Sequence, residues 1–214
     1  MFHLRIEKLC LAAAALLSVA AIAVVLVSPE SWSALGKEDG GVEVASVYAM
    51  LFFAIVAAAK ALGAVGKPRL VLLAIALLGI IGAGEEVSWG QRIFDVEAPV
   101  IFAKYNAQGE TNLHNFLHPP LDGILAGLAI VALLAAPALI ERPWVHKLRC
   151  NGLPWPEWHH VKLLLASLLP LGILGMAGTR ELEELAELIA VLVFTAMVSR
   201  WTPLDCELTP SNHS

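Results

Sequence analysis

Residues 70–92 read LVLLAIALLGIIGAGEEVSWGQR. The first 15, Leu70 to Gly84, carry no polar side chain, and two carboxylates follow at once. A helix of that length is about 22 Å long, short of a hydrocarbon core of about 30 Å. Completing the span takes roughly Glu85 to Gly90, which sets Glu85 and Glu86 beneath one interface with Trp89 as an interfacial anchor. Uncompensated charge at that depth is costly, so such carboxylates need partners or a task. The stretch predicts a membrane helix ending in a polar site. A shorter helix capped by both acids, which bind Arg92 at the interface, is the plainer alternative.

The rest of the chain agrees with a membrane reading. Its 214 residues are 58% hydrophobic and 15% charged, with a mean hydropathy of +0.73. Soluble domains carry roughly 25% charged residues. The net charge of −5 and the lack of a basic stripe argue against nucleic acid as a partner. Cys10, Cys150 and Cys206 lack metal-ligand spacing and suggest no disulfide framework, so they are expected to be free thiols.

Six stretches are long enough to cross a bilayer: about 9–28, 43–64, 70–90, 120–140, 161–179 and 181–200. The predicted fold is all-α, a polytopic six-helix domain over 1–204 with a short tail at 205–214. A cleaved signal peptide is the rival reading of the first stretch, but its apolar region would run only about 7–15 residues. With the N-terminus inside, ten of the 14 basic residues fall on cytoplasmic segments, and both termini are then cytoplasmic. The expected location is a bacterial inner membrane. All six tryptophans fall near predicted helix ends or in loops, as an aromatic belt requires. SPESWSALGKEDGG (28–41) reads as a solvated outer turn. The inner loop 141–160 reads as lying along the headgroups, with His159 and His160 as interface residues.

The last stretch repeats the pattern of the third. Only 11 residues separate Glu187 from Ser199, so Glu184 and Glu187 also fall inside the outer part of the slab. Glu181, Glu184 and Glu187 share one stripe of a helix. Acids from two helices thus reach a similar depth, where they need Arg92 or Arg180, protons or a metal. For Glu181, Glu183 and Glu184 the alternative is simple complementarity to a helix N-terminus.

Between the third and fourth stretches lies the longest outer connection, 91–118. Ile93, Phe94, Val96, Val100, Ile101 and Phe102 around Pro99 suit a re-entrant or interfacial piece. The polar run GETNLHNFLHPP follows. His114 and His118 are spaced i, i+4, a familiar metal geometry when a carboxylate joins them. His118 precedes Pro119, which biases it away from helix. Asn112 and Asn115 could orient the rings or cap the fourth helix. Ser88 could serve as nucleophile or proton relay, or bond back into its own helix. No GxSxG elbow, P-loop, HExxH or CxxC pair occurs.

Together, GEEVSWGQRIF and YNAQGETNLHN resemble the signature of a group of uncharacterised bacterial multi-pass inner-membrane proteins. The resemblance covers roughly residues 82–118 and implies membership without an activity to transfer. The His, acid and Ser inventory is also similar to that of intramembrane metal hydrolases related to alkaline ceramidases and progestin/adipoQ receptors. That family has more spans and its His-x-x-x-His pair on a late helix, so the likeness is one of chemistry alone.

The leading expectation is an enzyme acting on a lipid or lipid-linked substrate at the outer leaflet. Glu85, Glu86, His114 and Glu187 are its candidate acid–base groups. Glu86, His114, His118, Glu184 and Glu187 are candidate ligands for a divalent metal, and Gln91, Arg92, Asn112 and Asn115 are candidate substrate contacts. The competing expectations are a non-catalytic partner of a larger membrane complex and a proton- or cation-coupled transporter. The last lacks the expected pair of short broken helices.

Overall fold

The computed structural model describes residues 2–37, 40–106, 109–113, 131–176 and 182–202. Among these every regular element is helical and no strand occurs. In chain order they are α1 (Phe2–Val27), α2 (Pro29–Gly36), α3 (Gly41–Leu62), α4 (Lys67–Glu86), α5 (Gln91–Phe94), α6 (Val100–Tyr105), α7 (Pro143–Cys150), α8 (Trp158–Met176) and α9 (Leu182–Arg200). Single 3-10 turns occupy Ser88–Gly90 and Ala136–Leu139. Three of the helices, α1, α3 and α4, are long and apolar enough to cross a membrane. Most of the predicted stretch 120–140 lies outside the described residues, which are helical from 131 to 135.

The third span is completed from the opposite end to the one predicted. Instead of running on through Gly90, α4 begins at Lys67 with Pro68 in its first turn, and stops at Glu86. Proline's fixed φ and missing N–H suit that first turn, and Lys67 and Arg69 can lay their stems along lipid while keeping their charges in water.

Although it carries Glu183, Glu184, Glu187 and Arg200, α9 has a well-covered apolar face. It packs on α3, α1 and α8, and Leu185, Leu188, Ile189, Val193 and Met197 join Ala14, Ala21, Leu164 and Leu171 in one core. Its C-terminal end is closed by a cation: buried Lys60 of α3 donates from Nζ to the Trp201 carbonyl at 2.7 Å. A positive charge at a helix C-terminus complements both the orphan carbonyls and the macrodipole. Trp201 Nε1 in turn donates to the Arg149 carbonyl at 2.7 Å, joining α7 to the same end. Lys60→Met would remove the donor and is expected to lower stability by about 1–2 kcal/mol. Thermal unfolding in lipid nanodiscs would show it, and an unchanged midpoint would mean the carbonyl finds water instead.

A glycine sets a close contact between α3 and α4. A Cβ on Gly79 would stand 2.8 Å from Phe53 Cδ1, 3.0 Å from the Met50 carbonyl oxygen and 3.1 Å from Ala54 Cβ. Only hydrogen fits there, as in membrane helix pairs that meet through small residues.

Three expectations from the sequence are corrected. The connection after α1 is no mere solvated turn: it folds into α2, whose Trp32 is buried in the main core. An aromatic belt therefore describes exposed Trp89, Trp144 and Trp158 but not Trp32 or Trp201, both of which are buried. Cys10 is a free, buried thiol as expected, whereas Cys150 is disulfide-bonded.

Candidate functional site

Ending a helix on two glutamates is unfavourable in itself, since the C-terminal end of the macrodipole is negative. The chain answers by turning back sharply. Ser88 (φ 47°), Trp89 (φ 55°) and Gly90 (φ 81°) all lie at positive φ. Left-handed backbone is costly for residues with a side chain and persists only where the surroundings hold it. Trp89 folds over the helix end against Gly84, where a Cβ would meet its ring at 2.9 Å. Its indole Nε1 donates to Glu85 Oε1 at 2.6 Å. The other Glu85 oxygen accepts the Leu113 backbone N–H.

A continuous network ties the segment after α6 to this turn. Ser88 Oγ donates to Glu110 Oε2 at 2.6 Å. Asn112 Nδ2 donates to the same Glu110 oxygen at 2.8 Å and to Ser88 Oγ at 2.9 Å. Asn106 Nδ2 donates to the carbonyl and side-chain oxygens of Asn112, both at 2.8 Å, while Asn106 Oδ1 accepts the Glu110 N–H at 3.2 Å. Gln91 Oε1 accepts the Thr111 N–H at 2.5 Å. Ser88, Asn106 and Asn112 are all buried. The residues that make up the double sequence motif are thus each other's partners.

That network assigns several candidates a positioning role. Glu85, Gln91 and Asn112 hold the loop, and their side-chain oxygens or amides are committed to it. Ser88 neither bonds back into its helix nor stands open as a nucleophile; it is fully buried and donates to Glu110. His114, Asn115 and His118, with the side chain of Arg92, lie outside the described residues.

Glu86 points elsewhere. Its carboxylate meets those of Glu184 and Glu187 from α9, with one oxygen from each within 4.8 Å of the others. Glu184 and Glu187 are one turn apart, which is why one face of α9 can present both. Exposure grades across the group: Glu86 is buried, Glu184 half-buried and Glu187 exposed. Since Gly82 abuts Met50 of α3, the antiparallel register brings the next turn of α4, with Glu86, level with buried Ser46. Three carboxylates this close repel one another unless a basic side chain, protons or a metal ion offsets their charge. An all-oxygen donor set suits hard cations such as magnesium, calcium or manganese.

A second polar cluster lies at the opposite end of α9. Glu7 of α1, 5% exposed, places Oε1 2.9 Å from His159 Nε2, 3.1 Å from Arg200 NH1 and 3.7 Å from His160 Nε2. Glu157 pairs with Arg200 at 3.2 Å and lies 3.7 Å from His159 Nδ1. His160 is 1% exposed, which corrects its reading as an interface residue. Its Nδ1 accepts the Glu157 backbone N–H at 3.1 Å, the position a Glu or Gln takes in a capping box. Burial, with His159 beside it, pushes the His160 pKa down to about 4, so the ring is neutral near pH 7. A cleft of about 610 Å³ lined by Ile140, Glu141, Glu157, Trp158, His159 and Lys162 opens beside the cluster.

Sequence reasoning missed this second group because its members are 152 residues apart. The available signal was Glu7, an acid just ahead of an apolar stretch. Comparison with known proteins adds no homology: no family model, no curated protein and no solved structure matches the chain.

Proposed function

We propose that the chain is a six-span protein of a bacterial inner membrane, with both termini in the cytoplasm. It belongs with the group whose GEE-x-SWGQR and GETNLHN signature it resembles. In this reading it is an enzyme that acts on a lipid or lipid-linked substrate at the outer leaflet, with membrane lipid as its surroundings and its source of substrate. The observation that carries the reading is the meeting of Glu86, Glu184 and Glu187 from two helices. The gradient from buried Glu86 to exposed Glu187 gives a substrate a way in and leaves a shielded carboxylate behind it. Such a group can hold a divalent cation, which would polarise a phosphoryl or acyl oxygen, or can share protons as general acid and base. Leu113, the residue before His114, is held to Glu85 next door to Glu86, which supports keeping His114 as a candidate member.

A non-catalytic role in a larger membrane complex is the second reading. It is favoured by one observation, that Glu85, Gln91 and Asn112 are all committed to internal bonds.

Cation binding separates the two. In nanodiscs, magnesium, manganese or calcium is expected to raise the unfolding midpoint of the wild type and not of Glu184→Gln or Glu187→Gln. At 100 times Kd the gain is about 2.7 kcal/mol. Cells carrying Glu86→Gln should show the altered lipid profile of a null strain at normal protein abundance. Full complementation by Glu86→Gln would remove the enzyme reading. A stoichiometric co-purifying protein, with no response to any cation, would establish the scaffold.

A further inference from the structure

The proposed reaction makes no use of the cluster around Glu7, at the other end of α9 from the three carboxylates. We propose that Glu7, His159 and His160 form a second cation site, for a divalent transition metal of the zinc, cobalt and nickel class.

The spacing is the first argument. Glu7 Oε1 stands 2.9 Å from His159 Nε2 and 3.7 Å from His160 Nε2, and all three ligand atoms lie within 4.8 Å of one another. Ligands at about 2.0–2.2 Å from one ion are separated by about 2.8–3.6 Å in octahedral or tetrahedral sites. Both separations from Glu7 Oε1 lie at or within a few tenths of an ångström of that range, and the two imidazole nitrogens are no more than 4.8 Å apart.

The second argument is independent of spacing. His160 Nε2 is buried, has no hydrogen-bond partner and is aimed at Glu7 across 3.7 Å. A buried polar atom without a partner calls for an explanation such as an ion or water. With Nδ1 accepting the Glu157 N–H, the proton of the neutral ring sits on Nε2. Binding a cation at Nε2 moves that proton to Nδ1 and gives up the amide hydrogen bond. A metal–nitrogen bond replaces it.

The surroundings fit. Glu157 faces His159 Nδ1 at 3.7 Å, the carboxylate–histidine pairing that orients metal-bound imidazoles. Arg200 bonds both Glu7 and Glu157 and is 39% exposed, so it can withdraw to Glu157 when a cation takes Oε1. The adjoining cleft, which His159 also lines, leaves room for waters to complete the coordination. Two imidazoles and one carboxylate select borderline metals rather than hard ones, so the two ends of the molecule would sort cations by type.

The test uses the full chain in nanodiscs, stripped with a chelator and titrated with Co²⁺ alone. Co²⁺ bound at this site should give a visible absorption band from mixed nitrogen and oxygen ligands, distinct from that of an all-oxygen site. His159→Ala and Glu7→Gln should each weaken binding at least tenfold, as should His160→Gln, while Glu184→Gln and Glu187→Gln leave the band unchanged. His159 is 42% exposed, so His159→Ala keeps the protein folded and decides the matter if either buried variant does not fold. Absence of the band in the wild type, or its survival in His159→Ala, overturns the proposal. Neither result bears on the three-carboxylate centre.

Discussion

Replacing Asn112 with leucine is expected to lower stability by about 3–5 kcal/mol, the largest effect of any single change in the network around Ser88. Leucine matches the volume and fills the site, so the loss is one of bonding. Asn112 donates to Ser88 and Glu110, and accepts from Asn106. Removing it takes one acceptor from buried Asn106 and one donor each from buried Ser88 and the Glu110 carboxylate. A buried network that is half satisfied is worse than one that was never built. The positive-φ turn at Ser88 and Trp89 then loses what holds it. Thermal unfolding in nanodiscs and protease cleavage between residues 106 and 113 would report the change. A midpoint within 1 °C of the wild type would show that water substitutes for the amide.

Gly79→Leu should cost about 3 kcal/mol by a different route. Here the added atoms have nowhere to go: the Met50 carbonyl oxygen and Ala54 Cβ belong to the facing helix and cannot rotate away. The helices must separate or tilt, and either movement carries Glu86 away from Glu184 and Glu187. A cation-induced gain in midpoint should shrink together with basal stability. Gly82→Ala is the control, because its Cβ would meet only the Met50 sulfur, the flexible end of a side chain, at 3.1 Å. That variant should fall within about 1 kcal/mol of the wild type.

The helical class was legible from hydropathy alone, because long uncharged runs such as Leu70 to Gly84 have few other uses. The meeting of Glu86 with Glu184 and Glu187 was legible in part. Depth can be counted along each helix, but which face turns inward depends on neighbours. That is why Glu85 and Glu86 looked equivalent: one residue apart on a helix means about 100° of rotation. One of them ties down a loop, and the other faces α9. The termination of α4 was misread because the strained turn at Ser88 and Trp89 has no propensity signal; only Gly90 is a residue that favours positive φ. The grouping of Glu7 with His159 and His160 was not legible for a topological reason. Their contact exists only once the first helix has packed beside the last two.

The burial of α9 bears on how the protein is made. As a membrane-crossing segment, one carrying Glu184 and Glu187 partitions poorly into lipid, the cost of each charge rising with depth toward about 2.5–3.5 kcal/mol at the centre of a span. Its companions α1 and α3 are synthesised long before it. Their apolar faces, waiting at the translocation channel, offer the late-arriving helix a protein surface in place of acyl chains. Biogenesis is then ordered from the N-terminus, and a chain lacking its first helix would release its last one to the quality-control proteases.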